Sequence, residues 1–259
     1  MSFMLITAGI VCAQVNVGEV MILSHPELKP DVDEKSFQAF VADELIPELS
    51  KKNLGTSYHL LKADRGNQKG KFLFVRSIEK IKNRKIPQAA DPLDLVHSGE
   101  EGLQVLITNP KKFSEYHLIG AEKITNLSTS GLLGLHFIKV KAERAKEFED
   151  LVVNKLHPAV SHLFPDMQLL YYKCVAGENT GSYLTIFTID SPDARHKYWP
   201  EGEPETDILK KTFKPLEALA KELGAYLVPG SYLEPESGGA AAYWESNEWT
   251  DYVHSSYLK

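Results

Sequence analysis

Phe72-Leu73-Phe74-Val75-Arg76-Ser77-Ile78-Glu79 returns 111 residues later as Tyr183-Leu184-Thr185-Ile186-Phe187-Thr188-Ile189-Asp190. Each reads as a strand rich in β-branched and aromatic residues. Working outward from this pair, residues 25–79 align with 136–190 without a gap. Identical pairs include His25/His136, Phe37/Phe148, Val41/Val152, Leu45/Leu156, Pro47/Pro158, Lys62/Lys173, Gly66/Gly177 and Gly70/Gly181. A sequence that repeats itself at one fixed offset reads as two copies of one module, each of roughly 105 residues.

The second copy shows the pattern more cleanly. Residues 131–140 read as a strand. Residues 142–163 read as a helix, with Phe148, Leu151, Val152, Leu156 and Val160 on one apolar stripe. Pro158, like Pro47, is expected to kink or end that helix. Strands 167–175 and 182–190 follow, joined by a loop holding Gly177 and Gly181. A helix at 205–223 and a strand at 225–233 complete the copy. The first copy reads as strand 19–25, helix 33–50, strands 56–63 and 71–78, helix 103–119 and strand 121–128, with an irregular insertion at 80–102.

The order β-α-β-β-α-β is that of a split ferredoxin-like unit, with helices on one face of its sheet. Its bare face needs a cover, and a second copy in the same chain supplies one. The expected fold is therefore α+β: two tandem ferredoxin-like (βαββαβ) modules forming an intrachain pseudo-dimeric α+β barrel. Residues 1–17 are the lead-in, 18–129 the first module, 130–233 the second, and 234–259 a linker with an aromatic tail. Tyr243, Trp244, Trp249, Tyr252 and Tyr257 crowd that tail. It reads as a packing strap or as a lid across a barrel mouth. In element order and patterning, residues 18–233 resemble the dimeric α+β barrel superfamily. The arrangement is similar to antibiotic-biosynthesis monooxygenases, NIPSNAP-type proteins and stress-responsive A/B-barrel proteins.

Strand periodicity then nominates site residues. In the first strand of copy two, Leu133, Leu135 and Phe137 are taken to face the helices, leaving His136 inside the barrel. In the third strands, Leu73/Val75 and Leu184/Ile186 are taken as helix-facing. Phe72, Phe74, Arg76, Tyr183, Thr185 and Phe187 then line the interior as a ligand-binding surface. His25 and His136, paired by the repeat, are the candidate catalytic residues, since a histidine near neutral pKa serves as base or donor. The bland alternative makes both structural.

The 259 residues are 43% hydrophobic and 25% charged, with a net charge of −6. That balance excludes a general nucleic-acid binder, which needs a basic face. Nucleotide-binding, zinc-protease, paired-cysteine and serine-nucleophile motifs are all missing from the sequence, so neither a metal nor a cofactor is expected. The resemblance also admits a haem with a histidine axial ligand, although no motif singles out that histidine. Residues 3–13 are apolar apart from Thr7, too short to span a bilayer. They resemble the core of a secretory leader, with cleavage before Gln14 and export to the periplasm or medium. Without the leader, Cys174 is the remaining cysteine and reads as a buried strand residue. The function these features suggest is binding of a small apolar or aromatic molecule by an exported monomer or homodimer. The resemblance implies cofactor-independent monooxygenase- or cyclase-like chemistry. The alternative is a non-catalytic binding or interaction module with a filled barrel.

Overall fold

The structure is a computed structural model. It describes residues 14–52, 55–66, 68–83, 106–109, 112–124, 127, 129–161, 163–164, 167–200, 206–228 and 249–254. The leader 3–13 and most of the insertion at 80–102 lie outside these residues.

The described strands are β1 (Val15–Asn16), β2 (Val20–Ser24), β3 (Thr56–Gly66), β4 (Phe72–Ile78), β5 (Ser114–Leu118), β6 (Thr129–Ser130), β7 (Leu132–Ile138), β8 (Met167–Gly177), β9 (Tyr183–Ile189) and β10 (Trp249–His254). Eight of them close an antiparallel barrel in the order β10-β3-β4-β2-β5-β8-β9-β7. β1 and β6 form a separate ribbon.

The first helix runs as α1 (Glu34–Phe40), a π segment (Val41–Leu45) and α2 (Ile46–Lys52). Asp33 caps it, accepting the Ser36 N–H at 2.9 Å. In the second half, a 3-10 turn (Ala142–Arg144) leads into α3 (Ala145–Leu151), a π segment (Val152–Leu156) and α4 (His157–Val160). Pro47 and Pro158 thus neither end nor break their helices. Each follows a π turn, and the wider turn absorbs the carbonyl that a proline cannot satisfy. α5 (Pro192–His196), α6 (Asp207–Phe213), a 3-10 turn (Lys214–Leu216) and α7 (Glu217–Gly224) complete the helices.

Three expected elements are corrected. Residues 114–118 of the expected helix 103–119 are strand β5. Its buried Ser114, Tyr116 and Leu118 alternate with Glu115 and His117, a period of two and not 3.6. The expected strand 121–128 opens with a 3-10 turn, Ala121–Lys123. In the expected strand 225–233, Leu227 makes a single bridge to Val140. The eighth barrel strand comes instead from the aromatic tail. β10 inserts between β7 and β3, pairing Asp251 with Gly134 on one side and with Arg65 on the other. Residues 249–254 of the tail are therefore neither a lid nor a strap over the body, because their backbone closes the barrel.

The two halves pair alike. β5 lies on β8 with Ser114↔Gly177, Glu115↔Ala176 and Tyr116↔Cys174, and its register shifts between Glu115 and Tyr116. β10 lies on β3 with Thr250↔Gly66, Asp251↔Arg65 and Tyr252↔Ala63, and its register shifts between Asp251 and Tyr252. Gly66 and Gly177 both adopt φ 91° where these strands turn away. At Gly177 a Cβ would stand 2.1 Å from the Phe113 carbonyl oxygen, so a side chain does not fit there.

Three apolar layers result. Met21, Leu23, Leu61, Leu73, Val75, Tyr116, Leu133, Leu135, Leu170, Tyr172, Leu184, Ile186 and Tyr252 form the barrel interior. Phe37, Val41, Leu45 and Leu49 pack on Tyr58, Leu60, Phe72 and Phe74 outside the first half. Phe148, Leu151, Val152 and Leu156 pack on Tyr171, Tyr183 and Phe187 outside the second.

Candidate functional site

These layers invert the expected strand faces. Leu73, Val75, Leu133, Leu135, Leu184 and Ile186 point into the barrel. The six residues expected to line the interior point outward. Phe72 packs on Phe37 at 5.2 Å, and Phe74 belongs to the same helix-facing layer. Arg76 is buried with its guanidinium 5.9 Å from the Tyr58 ring. Tyr183 packs on Phe148 at 4.8 Å and donates its hydroxyl to Glu149 at 2.6 Å. Thr185 is fully buried on that same face, and Phe187 stands between His136 and Trp199. The cause is that each strand is covered on both faces, by the opposite barrel wall and by helices. Both faces are then apolar, and hydrophobicity cannot choose between them. A period of two makes the error complete once made.

The histidine pair separates for a related reason. Ile78 and Ile189 are 111 residues apart, and they pair with Val20 and Leu132, which are 112 apart. By register His136 corresponds to Ser24, and His25 corresponds to Phe137. The identity of His25 and His136 is thus a product of gapless alignment. The turn after β7 is one residue shorter than the turn after β2. His136 lies on the outer face, 1% exposed and edge-on to Phe187 at 5.4 Å. His25, just past β2, follows Met21 and Leu23 on the inner face.

His25 stands at one end of the barrel, beside the β3–β4 and β8–β9 turns. A cavity of about 380 Å³ opens there, lined by His25, Gln68, Phe137, Asn179, Ser182 and Thr250 among others. A smaller one of about 100 Å³ adjoins it along His25, Ser114, Tyr116 and Phe137. The His25 Nε2 and the Tyr252 hydroxyl are 3.1 Å apart. Asn109 brackets the histidine backbone, donating to the His25 carbonyl at 2.8 Å and accepting the Glu27 N–H at 2.9 Å. Across the mouth, Phe137 faces Tyr116, whose hydroxyl accepts from Asn179 at 3.2 Å.

Burial, helped by the charge of Lys71, pushes the His25 imidazole down to about 4. Burial pushes the Tyr252 phenol up, beyond its ordinary range. At neutral pH the pair is therefore an uncharged imidazole and an uncharged phenol. The opposite end of the barrel is closed. Val15 and Val17 join the interior cluster, Tyr172 donates to the Gly18 carbonyl at 2.7 Å, and His59 accepts the Asn16 N–H at 3.3 Å.

Outside the barrel, α5 clamps the seam that β10 makes with β3. Arg195, itself buried, contacts Asp64 of β3 at 2.7 Å and Asp251 of β10 at 3.1 Å. Burial pushes Asp251 up to about 6, with Arg195 pulling it part of the way back. Sequence reasoning missed Tyr252, Thr250, Asp251, Phe137 and Tyr116. A signal for most of them was present: Ser114-Glu115-Tyr116 matches Thr250-Asp251-Tyr252, at an offset of 136 and not 111.

Among the described residues, no cluster of three or more His, Cys, Asp or Glu side chains could hold a metal, and no helix is long and apolar enough to cross a membrane. A haem fits neither histidine. His136 borders neither of these cavities and is walled by Phe187. His25 already engages Tyr252 through Nε2, so that nitrogen is taken. Cys174 is a free, buried thiol on β8.

No family model and no curated protein matches the sequence. Solved structures do resemble the chain. One is an anthrone oxidase-like protein, 11% identical, covering 91% of this chain and 90% of its own, with a TM-score of 0.48. Another is a haem-binding protein from Thermus thermophilus, 11% identical, covering 93% of each chain, at 0.46. A third, from Listeria monocytogenes, is described as a ferredoxin-fold protein related to antibiotic-biosynthesis monooxygenases. It is 14% identical, covers 92% of this chain and 95% of its own, and scores 0.39.

Proposed function

We propose that the chain is a fused pair of ferredoxin-like modules that binds a small, largely apolar or aromatic molecule in the open barrel mouth beside His25. Residues 18–129 form the first module. The second begins at residue 130 and takes its last strand from β10. The observation that carries the binding reading is the cavity of about 380 Å³ in which His25, Phe137 and Thr250 meet. Its volume is that of a small-molecule site, and its lining combines an aromatic ring with a few polar groups. The filled apolar interior confines the ligand to the mouth. Catalysis of the monooxygenase or cyclase type would use His25 as base and Tyr252 as donor. An imidazole held near 4 is a weak base, so such chemistry requires a substrate that is already acidic.

The packed interior also favours a second reading, a non-catalytic module. Both readings are tested by titrating the nitrogen-15-labelled full chain with indanone, a fused-ring ketone, and following its NMR signals. Shifts at His25, Phe137 and Thr250 support mouth binding. Shifts at His136 alone, or none, support the filled module. We also propose export with cleavage before Gln14. Val15 is buried and pairs with Ser130, so a chain starting at Gln14 keeps that end of its barrel closed. Mass spectrometry of secreted protein checks the cleavage point.

A further inference from the structure

We infer that Tyr252 fixes His25 as the Nδ1–H tautomer, so that the barrel mouth presents a hydrogen-bond donor and selects ligands carrying a carbonyl-type acceptor oxygen. The inference rests on the mouth-binding reading and deepens it.

Three residues make the relay. Thr250 and Tyr252 alternate along β10 with Asp251 between them, so both face inward. The Thr250 side chain is a hydrogen-bond partner of the Tyr252 phenol, and its hydroxyl is able to donate to the phenol oxygen. The phenol proton has His25 Nε2 as its acceptor, 3.1 Å away. A phenol is a far stronger acid than a neutral imidazole N–H, and an imidazole nitrogen is a far stronger base than a phenol oxygen. The stronger of the two possible bonds is therefore O–H to Nε2. With Nε2 accepting, the single proton of a neutral imidazole resides on Nδ1. Nδ1 has no hydrogen-bond partner among the described residues, and the ring lines the cavity. The Asn109 bracket on the His25 backbone holds the ring in place for both roles.

The other side of the mouth shows what the relay adds. Ser114 and Tyr116 occupy the positions of Thr250 and Tyr252, and Ser114 also hydrogen bonds to its tyrosine. There the ring facing the tyrosine is Phe137, which accepts no proton and offers no donor. Desolvation keeps His25 neutral and Tyr252 protonated across the neutral range, so the relay does not depend on small pH changes. A ligand lying across the mouth places its acceptor at His25 and its apolar body toward Phe137. A ligand bearing only donors, such as an amine, leaves the Nδ1–H unpaired and gains nothing there.

The test uses the nitrogen-15-histidine-labelled full chain. Two-bond proton–nitrogen correlations should report His25 with its proton on Nδ1. Tyr252→Phe, which removes one hydroxyl, should move His25 toward the Nε2–H form favoured by free histidine. Indanone should bind about tenfold more tightly than indane, which has the same rings and no oxygen. The preference should shrink to about twofold or less in Tyr252→Phe. A wild-type proton on Nε2 overturns the inference without need of any variant. Equal binding of indanone and indane, with the proton on Nδ1, overturns the selectivity. If neither probe shifts a mouth residue, the binding reading fails and the selectivity with it, while the tautomer still reports on the relay alone.

Discussion

Two tyrosines face each other across the barrel mouth in matching frames. Tyr252 meets the His25 ring at 6.2 Å and 55°, and Tyr116 meets the Phe137 ring at 6.4 Å and 54°. Strand register has produced the same geometry twice, and one residue has made the chemistry different. The same contrast recurs elsewhere. At the closed end, His59 and His254 stand where Leu170 and Leu118 stand in the other half. At the β3–β10 seam, Asp251 binds Arg195. At the β5–β8 seam, the corresponding Glu115 binds the nearby His117 at 2.6 Å. A shared frame with unshared side chains separates what the fold requires from what it leaves free. The apolar interior, the π turns and the hairpin glycines are common to both halves. The His25 pair, the histidines at the closed end and the Arg195 clamp belong to one.

The largest effect is expected at the clamp. Arg195→Met strands Asp64 and Asp251 against a buried neighbour, and should cost about 3–5 kcal/mol of stability in urea at neutral pH. Glu115→Gln at the matching seam should cost about 1 kcal/mol, because the amide keeps the shape of the buried carboxylate and an oxygen that can accept from His117. Equal losses would mean that the two seams are held alike.

Acid should act through the histidines. Burial lowers His59 to about 4 and His136 to about 3. Their unfolded rings take up protons below about 6.5 while the folded rings do not. Stability therefore falls as pH drops from about 6.5 toward about 4, by on the order of 3 kcal/mol for His59. Asp251 works in the opposite sense. Its raised folded value of about 6 means that stability is lost as pH rises from 3.8 through 6. The double change His59→Leu and His254→Leu copies the Leu170 and Leu118 of the other half. It should flatten the acid limb of a urea-midpoint series across pH. It should also lower stability by about 1–2 kcal/mol at neutral pH, since Asn16 loses its acceptor, and leave the variant the more stable of the two near pH 4. An unchanged acid limb would remove the His59 pair from the account.

A smaller effect sharpens the mouth comparison. Phe137→His places an imidazole opposite Tyr116, and should bring a second indanone-responsive ring signal. The stability change should be about 1 kcal/mol, because Phe137 is only partly buried. A new histidine that does not respond to indanone would mean that the frames match less closely than their rings suggest.

The strands at 19–25, 56–63, 71–78, 131–140, 167–175 and 182–190, the helices at 33–50 and 142–163, and the hairpin glycines were legible in the sequence, because turn chemistry and helical spacing are local signals. Strand faces were not legible. Phe72, Phe74 and Tyr183 alternate with Leu73, Val75 and Leu184, and both sets are apolar because both are buried. The last strands escaped for a different reason. Glu115 and His117 alternate with Ser114, Tyr116 and Leu118 over only five residues, and Thr250-Asp251-Tyr252 lies beyond a long connection that shifts the repeat offset. His25 and His136 misled because one residue of turn length moved the identity off the register.

The most direct test compares His25→Phe with His136→Phe in indanone titrations of the full chain, read from the Thr250 and Phe137 amide shifts. His25→Phe should weaken binding about tenfold, or about 1.4 kcal/mol, while His136→Phe leaves it unchanged. Loss in His136→Phe with His25→Phe unaffected would contradict the inward placement of His25 and the site built on it.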